Sequence, residues 1–147
     1  MNATDIINQL KIQLQNSADL DYVEDTHIFI GKRTNIANYP VIVIEPNGDR
    51  VVSQNYPYEE IILKVIIAAG IKIFDENKQI VGSSGIKGIV DFKNDIKKAL
   101  SSDHTLDGKC SDLNIIDSID DSAEEYPIRG FLINIEILYQ QDRTTRA

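Results

Sequence analysis

The fold is decided by the stretch Phe131-Leu132-Ile133-Asn134-Ile135-Glu136-Ile137-Leu138-Tyr139, in the C-terminal part of the sequence. Every odd-numbered residue in this stretch is apolar or aromatic, whereas the even-numbered positions include Asn134 and Glu136. Successive side chains of a strand point to opposite faces of a sheet, so this period of two predicts a strand with one buried face. The sequence therefore predicts a sheet whose core receives the odd-numbered side chains.

A second long strand is predicted at residues 60–69. Ile61, Leu63, Val65 and Ile67 fall on one face of it, and Lys64 interrupts the other face. The two strands thus share one pattern, in which one face is fully apolar and the other contains a charged residue.

Shorter segments complete the predicted sheet. Residues 41–44 are a β-branched run, and Pro46-Asn47-Gly48-Asp49 predicts a turn that ends this strand. Residues 110–119 are predicted to form another strand. Residues 20–30 are predicted to be extended, and residues 71–81 to form a hairpin or a loop.

Two amphipathic helices are predicted, one at each side of these strands in sequence. Thr4 is the predicted N-cap of the first helix, which should end by residues 16–17, and Ser84 is a candidate cap for the second, at residues 86–100. Asp95 is placed on the exposed side of the second helix, three residues before Lys98. The apolar stripes of the two helices consist of Ile6, Ile7, Leu10 and Leu14, and of Ile89, Phe92, Ile96 and Leu100.

The order of elements predicts an α+β fold, an antiparallel-rich mixed sheet with two main helices packed on one face. A length of 147 residues suits one domain, spanning residues 1–147. Residues 142–147 are a candidate disordered tail, because chain ends are often poorly ordered.

Charge and cysteine content exclude several kinds of function. Fifteen Lys and Arg against 23 Asp and Glu give a net charge of −8, which argues against binding nucleic acid or an anionic membrane surface. The single cysteine excludes an internal disulfide and a zinc site built from CxxC pairs. The sequence shows neither a signal peptide nor an apolar run long enough to span a bilayer, so we expect a chain made in a cytoplasm.

No catalytic constellation is evident. The two histidines, His27 and His104, form no recognisable motif with Cys110, which is predicted to be a small buried residue. The glycine-rich run at residues 82–88 precedes a helix but matches neither GxGxxG nor GxxxxGK[ST]. It is therefore interpreted as a loop that leads into the helix, and neither a catalytic residue nor a cofactor nor a metal is predicted.

The most distinctive local feature is a segment of carboxylates without any Lys or Arg, formed by Asp117, Asp120, Asp121, Glu124 and Glu125. A hard cation would accept such oxygen ligands, but the spacing is not that of an EF-hand. A solvated hairpin loop is the favoured interpretation. If this loop faced the axis of an oligomer, its summed charge would repel DNA phosphate.

Three polar residues mark a candidate interface. Lys64, Asn134 and Glu136 interrupt the less apolar face of the two long strands, beside Ile62, Ile66, Leu132 and Leu138. This is more apolar surface than a monomer usually exposes. Either a helix covers the face, or, as we hypothesise, part of it meets a neighbouring subunit.

Taken together, these features resemble the tail terminator (tail completion) proteins of long-tailed bacteriophages. The resemblance covers nearly the whole chain and depends on the pattern and order of elements. It is carried by the opening helix, by Tyr39-Pro40-Val41-Ile42-Val43-Ile44, by the strand over residues 59–69, by Asp91-Phe92-Lys93-Asn94-Asp95-Ile96-Lys97-Lys98-Ala99-Leu100, by Leu106-Asp107-Gly108, by Tyr126-Pro127 and by the strand ending at Tyr139.

The resemblance implies a structural virion protein without enzymatic activity. Such proteins form a ring, usually of six copies, at the head-proximal end of the tail tube, where the ring stops tube polymerisation and offers a docking surface for the head–tail connector. The expected partners are other copies of the chain, the tail tube protein and the neck connector, while DNA passes through the lumen without specific binding. The acidic segment is assigned to that lumen as a hypothesis.

Two alternatives remain at this point. The chain could be another neck or tail component, such as a head-completion protein, a connector adaptor, or a tube or baseplate subunit. It could also be an enzyme or a small-ligand module, with a pocket near residues 82–88 and the acidic segment.

Overall fold

The computed structural model describes residues 2–32, 36, 38–121 and 125–142. Two short 3-10 helices, at Ala18–Leu20 and Asp25–His27, follow the first α-helix. The main elements are, in chain order, α1 (Ala3–Gln15), β1 (Ile28–Ile30), β2 (Val41–Asn55), β3 (Tyr58–Lys72), α2 (Glu76–Val81), α3 (Ile89–Ser101), β4 (Asp112–Asp120) and β5 (Ile128–Asp142).

The strands form one five-stranded sheet in the order β1-β2-β3-β5-β4. The short β1 runs parallel to β2, and all the other neighbours are antiparallel. The predicted α+β fold with an antiparallel-rich mixed sheet is therefore confirmed. The long strands β3 and β5 lie next to each other at the centre, paired from Tyr58 and Asp142 to Lys72 and Ile128.

The core lies between one face of the sheet and the helices α1 and α3. Phe92 of α3 is fully buried and makes edge-to-face contacts with Tyr22 and Phe131, at centroid distances of 5.9 and 5.7 Å. All the residues of both predicted helical stripes are buried, as are the odd-numbered residues of β5 from Phe131 to Tyr139. The buried faces of the strands and the apolar stripes of the helices thus meet in one hydrophobic cluster.

The N-cap of α1 is Asn2 and not Thr4, so that prediction was wrong. The side-chain oxygen of Asn2 accepts a hydrogen bond from the backbone N–H of Asp5 at 2.9 Å. Asparagine is at least as good an N-cap as threonine, and starting at Ala3 gains two further helical residues, Ala3 and Thr4. The helix ends at Gln15, as predicted.

The predicted turn at Pro46 is not a turn, because β2 continues through it to Asn55. The pairing register with β3 shifts between Pro46 and Asp49, and Gly48 adopts a φ of 87° there. Proline is tolerated at bulges and in edge strands, and Pro46 lies at both, since β1 pairs only with Ile42–Ile44. The residues that predicted a turn therefore form a bulge within β2.

Two other segments also differ from the prediction. Residues 20–30 contain a 3-10 helix before the three-residue β1, and residues 71–81 continue β3 and then form α2. The side chain of Asp75 caps α2 by accepting from the Lys78 N–H at 3.1 Å. Gln79 holds α2 in place, since its buried side chain donates to the carbonyls of Ile73 and Pro127, each at 2.8 Å.

The helix α3 begins at Ile89 with Gly88 as its N-cap, later than predicted and without Ser84. Ser83 and Ile86 pair with each other in an isolated bridge, which keeps this segment out of the helix. Asp142, predicted to start a disordered tail, is the last residue of β5, while residues 143–147 lie outside the described residues. Within the described part of the chain, no helix is both long and apolar enough to cross a membrane.

Candidate functional site

The face of the sheet opposite α1 and α3 carries the predicted interface residues. We call this surface the open face, and it consists of Ile62, Lys64, Ile66, Asn134, Glu136 and Leu138, with Asn114, Asp117 and Ile119 of β4 beside them. Lys64 lies directly opposite Glu136, and Ile66 lies opposite Asn134. The prediction that Lys64, Asn134 and Glu136 share one face is thus confirmed, and the register places them next to one another.

Side chains from β1 and from the described residues before β2 cover one end of this face, where a helix was considered from the sequence. Phe29, Ile36 and Tyr39 pack there against a small cluster that contains Val41 and Val43. The same cluster includes Ala68 and is flanked by Leu132. The apolar surface around Leu132 is therefore partly satisfied within the chain, whereas the surface around Lys64 and Glu136 lies beyond this cover.

The charges at the centre of the open face are aligned but not paired. Lys64 is exposed and Glu136 is half-buried, and neither has an ion-pair partner within 4 Å among the described residues. Cross-strand residues on one face of a sheet have Cβ atoms only about 5 Å apart, so the two charged side chains start from neighbouring positions on this surface. Each is thus available to a group from another molecule.

The edge strand β4 extends this surface with exposed apolar residues. The register between β4 and β5 shifts between Ile115 and Asp117, which leaves Ile116 opposite no partner and 53% exposed. Ile119 is 51% exposed. The side-chain amide of Asn134 donates to Asp117 at 2.6 Å, so the bulge also fixes one polar group of the open face. Apolar and polar side chains are therefore both presented along the edge of the sheet.

The acidic segment is not the hairpin loop that the sequence predicted. Asp117 and Asp120 lie within β4, because the strand stays paired with β5 up to Asp120 and Phe131. Asp117 is on the open face, whereas Asp120 is on the helix side and lies 3.5 Å from the Nζ of Lys93.

The rest of the acidic segment lies where the chain leaves β4 and approaches β5. Asp121 donates its backbone N–H to the carbonyl of Gly130 at 3.0 Å, and Glu125 lies in the segment before β5. Glu124 lies outside the described residues. Across the described part of the chain, no three His, Cys, Asp or Glu side chains come together as a metal site.

Cys110, His104 and Asp112 lie close together, which the sequence did not indicate. The Nδ1 of His104 is 3.1 Å from Asp112 Oδ1, but the Cys110 thiol donates to the backbone carbonyl of His104, at 3.5 Å, and not to its imidazole. Burial, followed by the Asp112 and Asp103 carboxylates, raises the pKa of the Cys110 thiol to about 11. An activated nucleophile requires the opposite shift, so this thiol is a structural group.

The buried thiol should react slowly. A pKa of about 11 in place of 9.0 lowers the thiolate fraction at pH 8 about a hundredfold, so we expect a thiol reagent to modify native Cys110 at least that much more slowly than the urea-unfolded chain. The raised pKa also means that the protonated thiol stabilises the fold below pH 9, and that this contribution is lost between pH 9 and about 11.

Timed absorbance with an aromatic disulfide reagent measures the modification rate, and Cys110→Ala supplies the blank. In the wild-type protein, ionisation of the thiol should lower the free energy of unfolding between pH 9 and about 11. Cys110→Ala should show a smaller decrease over the same pH range. Equal reaction rates in the native and unfolded protein would contradict this assignment.

The glycine-rich run at residues 82–88 packs against itself and forms no open cradle. A Cβ added to Gly82 would lie 2.4 Å from the Ile86 carbonyl oxygen, and one added to Gly88 would lie 2.5 Å from the Gly82 nitrogen. The backbone of this loop is therefore closed by contacts that only glycine permits. A phosphate cradle needs outward-facing amides, and the Ser83 and Ile86 amides are already bonded within the loop.

A buried polar cluster was missed by the sequence analysis, which placed Asp95 on the exposed side of α3. Asp95 is buried, accepts a hydrogen bond from the Tyr22 hydroxyl at 2.8 Å, and lies 3.3 Å from the Nζ of Lys87. Burial first, and the bond to Asp95 second, raise the pKa of the Tyr22 phenol well above its usual value. The spacing held a signal, because Asp95 follows Phe92 by three residues and so lies beside the apolar stripe.

Comparison with known proteins adds no relative. No protein-family model matches the chain, and a search of curated proteins finds no match either.

Proposed function

We propose that this chain is a structural subunit that self-associates into a ring, and that it acts as a tail terminator of a long-tailed bacteriophage. The ring would stop polymerisation of the tail tube and present a surface to the neck connector. The observation that carries the proposal is the open face, where Lys64 and Glu136, without an ion-pair partner among the described residues, lie among Ile62, Ile66 and Leu138.

The composition of the open face suits a protein–protein contact. A half-buried apolar surface that carries charges gains burial energy from its apolar part and orientation from its charges. The bulge in β4 adds Ile116 and Ile119 at the edge of the same surface. Contact between this surface and a different surface of the next copy is heterologous, and heterologous contacts form a ring when the rotation closes.

The acidic residues at one end of the sheet suit the lumen of the proposed ring. Asp121 and Glu125 lie between β4 and β5, and Asp120 lies at the end of β4, so these three carboxylates share one end of the sheet. Asp117 belongs to the open face and makes its hydrogen bond there, so it is left out of this lumen. Asp120 is 3.5 Å from the Nζ of Lys93, so Asp121 and Glu125 would supply most of the charge that, summed over the copies of a ring, keeps DNA phosphate from binding.

Assembly tests the proposal directly. We expect the purified protein to form annuli with a central hole by negative-stain microscopy, and Lys64→Glu to weaken assembly at least about tenfold, because it places a second carboxylate opposite Glu136 in a contact selected for a cation. Sedimentation velocity over a concentration series measures this change.

Lys98→Glu is the matched control, since Lys98 is exposed on α3, away from the open face. It changes the net charge by the same amount and should leave assembly unaltered. A wild-type protein that stays monomeric at micromolar concentration, or a Lys64→Glu variant that assembles normally, would overturn the assignment of the open face.

The terminator role has its own test. Purified rings should bind the ends of isolated tail tubes and prevent their further growth. Rings that bind only DNA-filled heads would identify a head-completion or connector protein. The assembly result and the tube result are independent. Rings that do not bind tubes would support the proposed interface and contradict the terminator function.

A further inference from the structure

A cavity of about 240 Å³ lies between the end of β3 and the loop that leads into α3. Its walls are largely apolar and aromatic, and they include Tyr22, Tyr39, Ile71 and Ile73. An engineered apolar cavity of about 150 Å³ accommodates benzene, so this cavity has room for one aromatic ring and a short substituent. It is separate from the open face and independent of the ring proposal.

One side of the cavity holds a fixed cation. Lys87 lines it, with Nζ 3.3 Å from Asp95 and 5.5 Å from the centroid of the Tyr22 ring. Tyr22, which donates its hydroxyl to the same carboxylate, also lines the cavity. An ammonium group carries three N–H donors, so Lys87 retains donors after its contact with Asp95.

A second cation lies on the rim. Lys72 lines the same cavity, its Nζ lies 5.8 Å from the centroid of the Phe74 ring, and no carboxylate among the described residues is in ion-pair distance of it. Asp95 lies in ion-pair distance of Lys87, and Asp91 and Asp21 also act on the Tyr22 phenol. An ammonium group next to an apolar cavity complements an anion with a hydrophobic body.

We propose that this cavity binds an aromatic carboxylate, with its ring between Tyr22 and Tyr39 and its carboxylate at Lys72 and Lys87. Aromatic side chains favour a ring in edge-to-face or offset contact, which a branched aliphatic group cannot provide. The carboxylate would meet the ammonium groups of Lys72 and Lys87, which both line the cavity. A free aromatic acid and the C-terminal phenylalanine of a polypeptide present this same chemistry.

Three small probes separate the ring from the charge. Phenylacetate should bind with a Kd on the order of 1 mM, the range expected for so few atoms. Phenylacetamide has the same shape without the charge and should bind several-fold more weakly, and acetate should not bind measurably. Amide NMR titration is the measurement, and the perturbed signals should include Ile73, Gly85 and Ile86, which line the cavity.

Lys72→Gln should weaken phenylacetate binding about threefold and leave phenylacetamide binding unchanged, since a single exposed charge contributes modestly. Lys98→Gln is the control, because Lys98 is exposed on α3 and does not line the cavity. The side chain of Lys72 is exposed and forms no hydrogen bond in the described structure, so its replacement should not disturb folding.

The source of the ligand is decided by a second pair of probes. The tripeptide Gly-Gly-Phe with a free carboxylate is compared with the same peptide carrying a C-terminal amide. Binding at least tenfold tighter than phenylacetate, lost on amidation, would identify a polypeptide C-terminus, whereas weaker binding would identify a free acid. Absence of binding by phenylacetate, equal binding of phenylacetamide, or perturbed signals confined to other regions would overturn the proposal.

Discussion

Replacing Phe92 by alanine is expected to lower the free energy of unfolding by about 3–5 kcal/mol. The ring of Phe92 is fully buried and joins α3 to both Tyr22 and Phe131 by edge-to-face contacts. Its removal costs the transfer energy of the ring and leaves a cavity between the helix and the central strand β5. Domains of this size are stable by about 5–15 kcal/mol, so this one substitution removes a large share.

Phe74→Ala is the matched control for Phe92→Ala. Phe74 is 71% exposed, so the same chemical change there should alter stability by no more than about 0.5 kcal/mol. Urea unfolding followed by circular dichroism, at one protein concentration, gives both values from the midpoint and slope. A loss below about 1 kcal/mol for Phe92→Ala would show that the helix does not depend on this contact.

Gly88→Ala is expected to cost about 3 kcal/mol, although it adds a single methyl group. The backbone of Gly88 has a φ of −81°, which any residue adopts, so no dihedral strain is involved. The added Cβ would lie 2.5 Å from the Gly82 nitrogen and 2.7 Å from the Ile80 oxygen. Both neighbours are backbone atoms, so the loop must open and the start of α3 must shift.

Gly108→Ala tests whether this cost comes from the close approach. Gly108 has a φ of 77° and nothing lies within 4 Å of the position of its Cβ. Its replacement should therefore cost only the left-handed strain, about 1 kcal/mol. Equal losses for the two variants, measured by the same urea unfolding, would contradict the packing of residues 82–88 described above.

The candidate sites depend on sequence and structure to different degrees. Lys64 and Glu136 could be assigned to one face from the period of two alone, since every second residue of a strand shares a face. Their direct opposition required the register between β3 and β5. The acidic segment was divided by the pairing of β4 with β5, in which Asp117 and Asp120 lie on opposite faces of the sheet.

The sequence suggested one wall of the cavity, near residues 82–88, but not its other walls. The cavity is formed by residues from the end of β3, the segment before β2, the region after α1 and the loop before α3, which come together only in the folded chain. Its polar cluster depends on Asp95, whose helical position beside the stripe gave the one local indication.

The sequence by itself determined the elements whose signal is local and periodic. The alternation in β5 and β3 and the stripes of α1 and α3 predicted their type and their buried faces, because burial against one core repeats with the geometry of the element. Tertiary structure alone decided the passage of β2 through Pro46, the formation of α2 after β3 and the burial of Asp95. In each case a distant partner supplies what the local sequence lacks: β3 supports the bulge, the Pro127 carbonyl accepts from Gln79, and Tyr22 and Lys87 compensate the buried carboxylate.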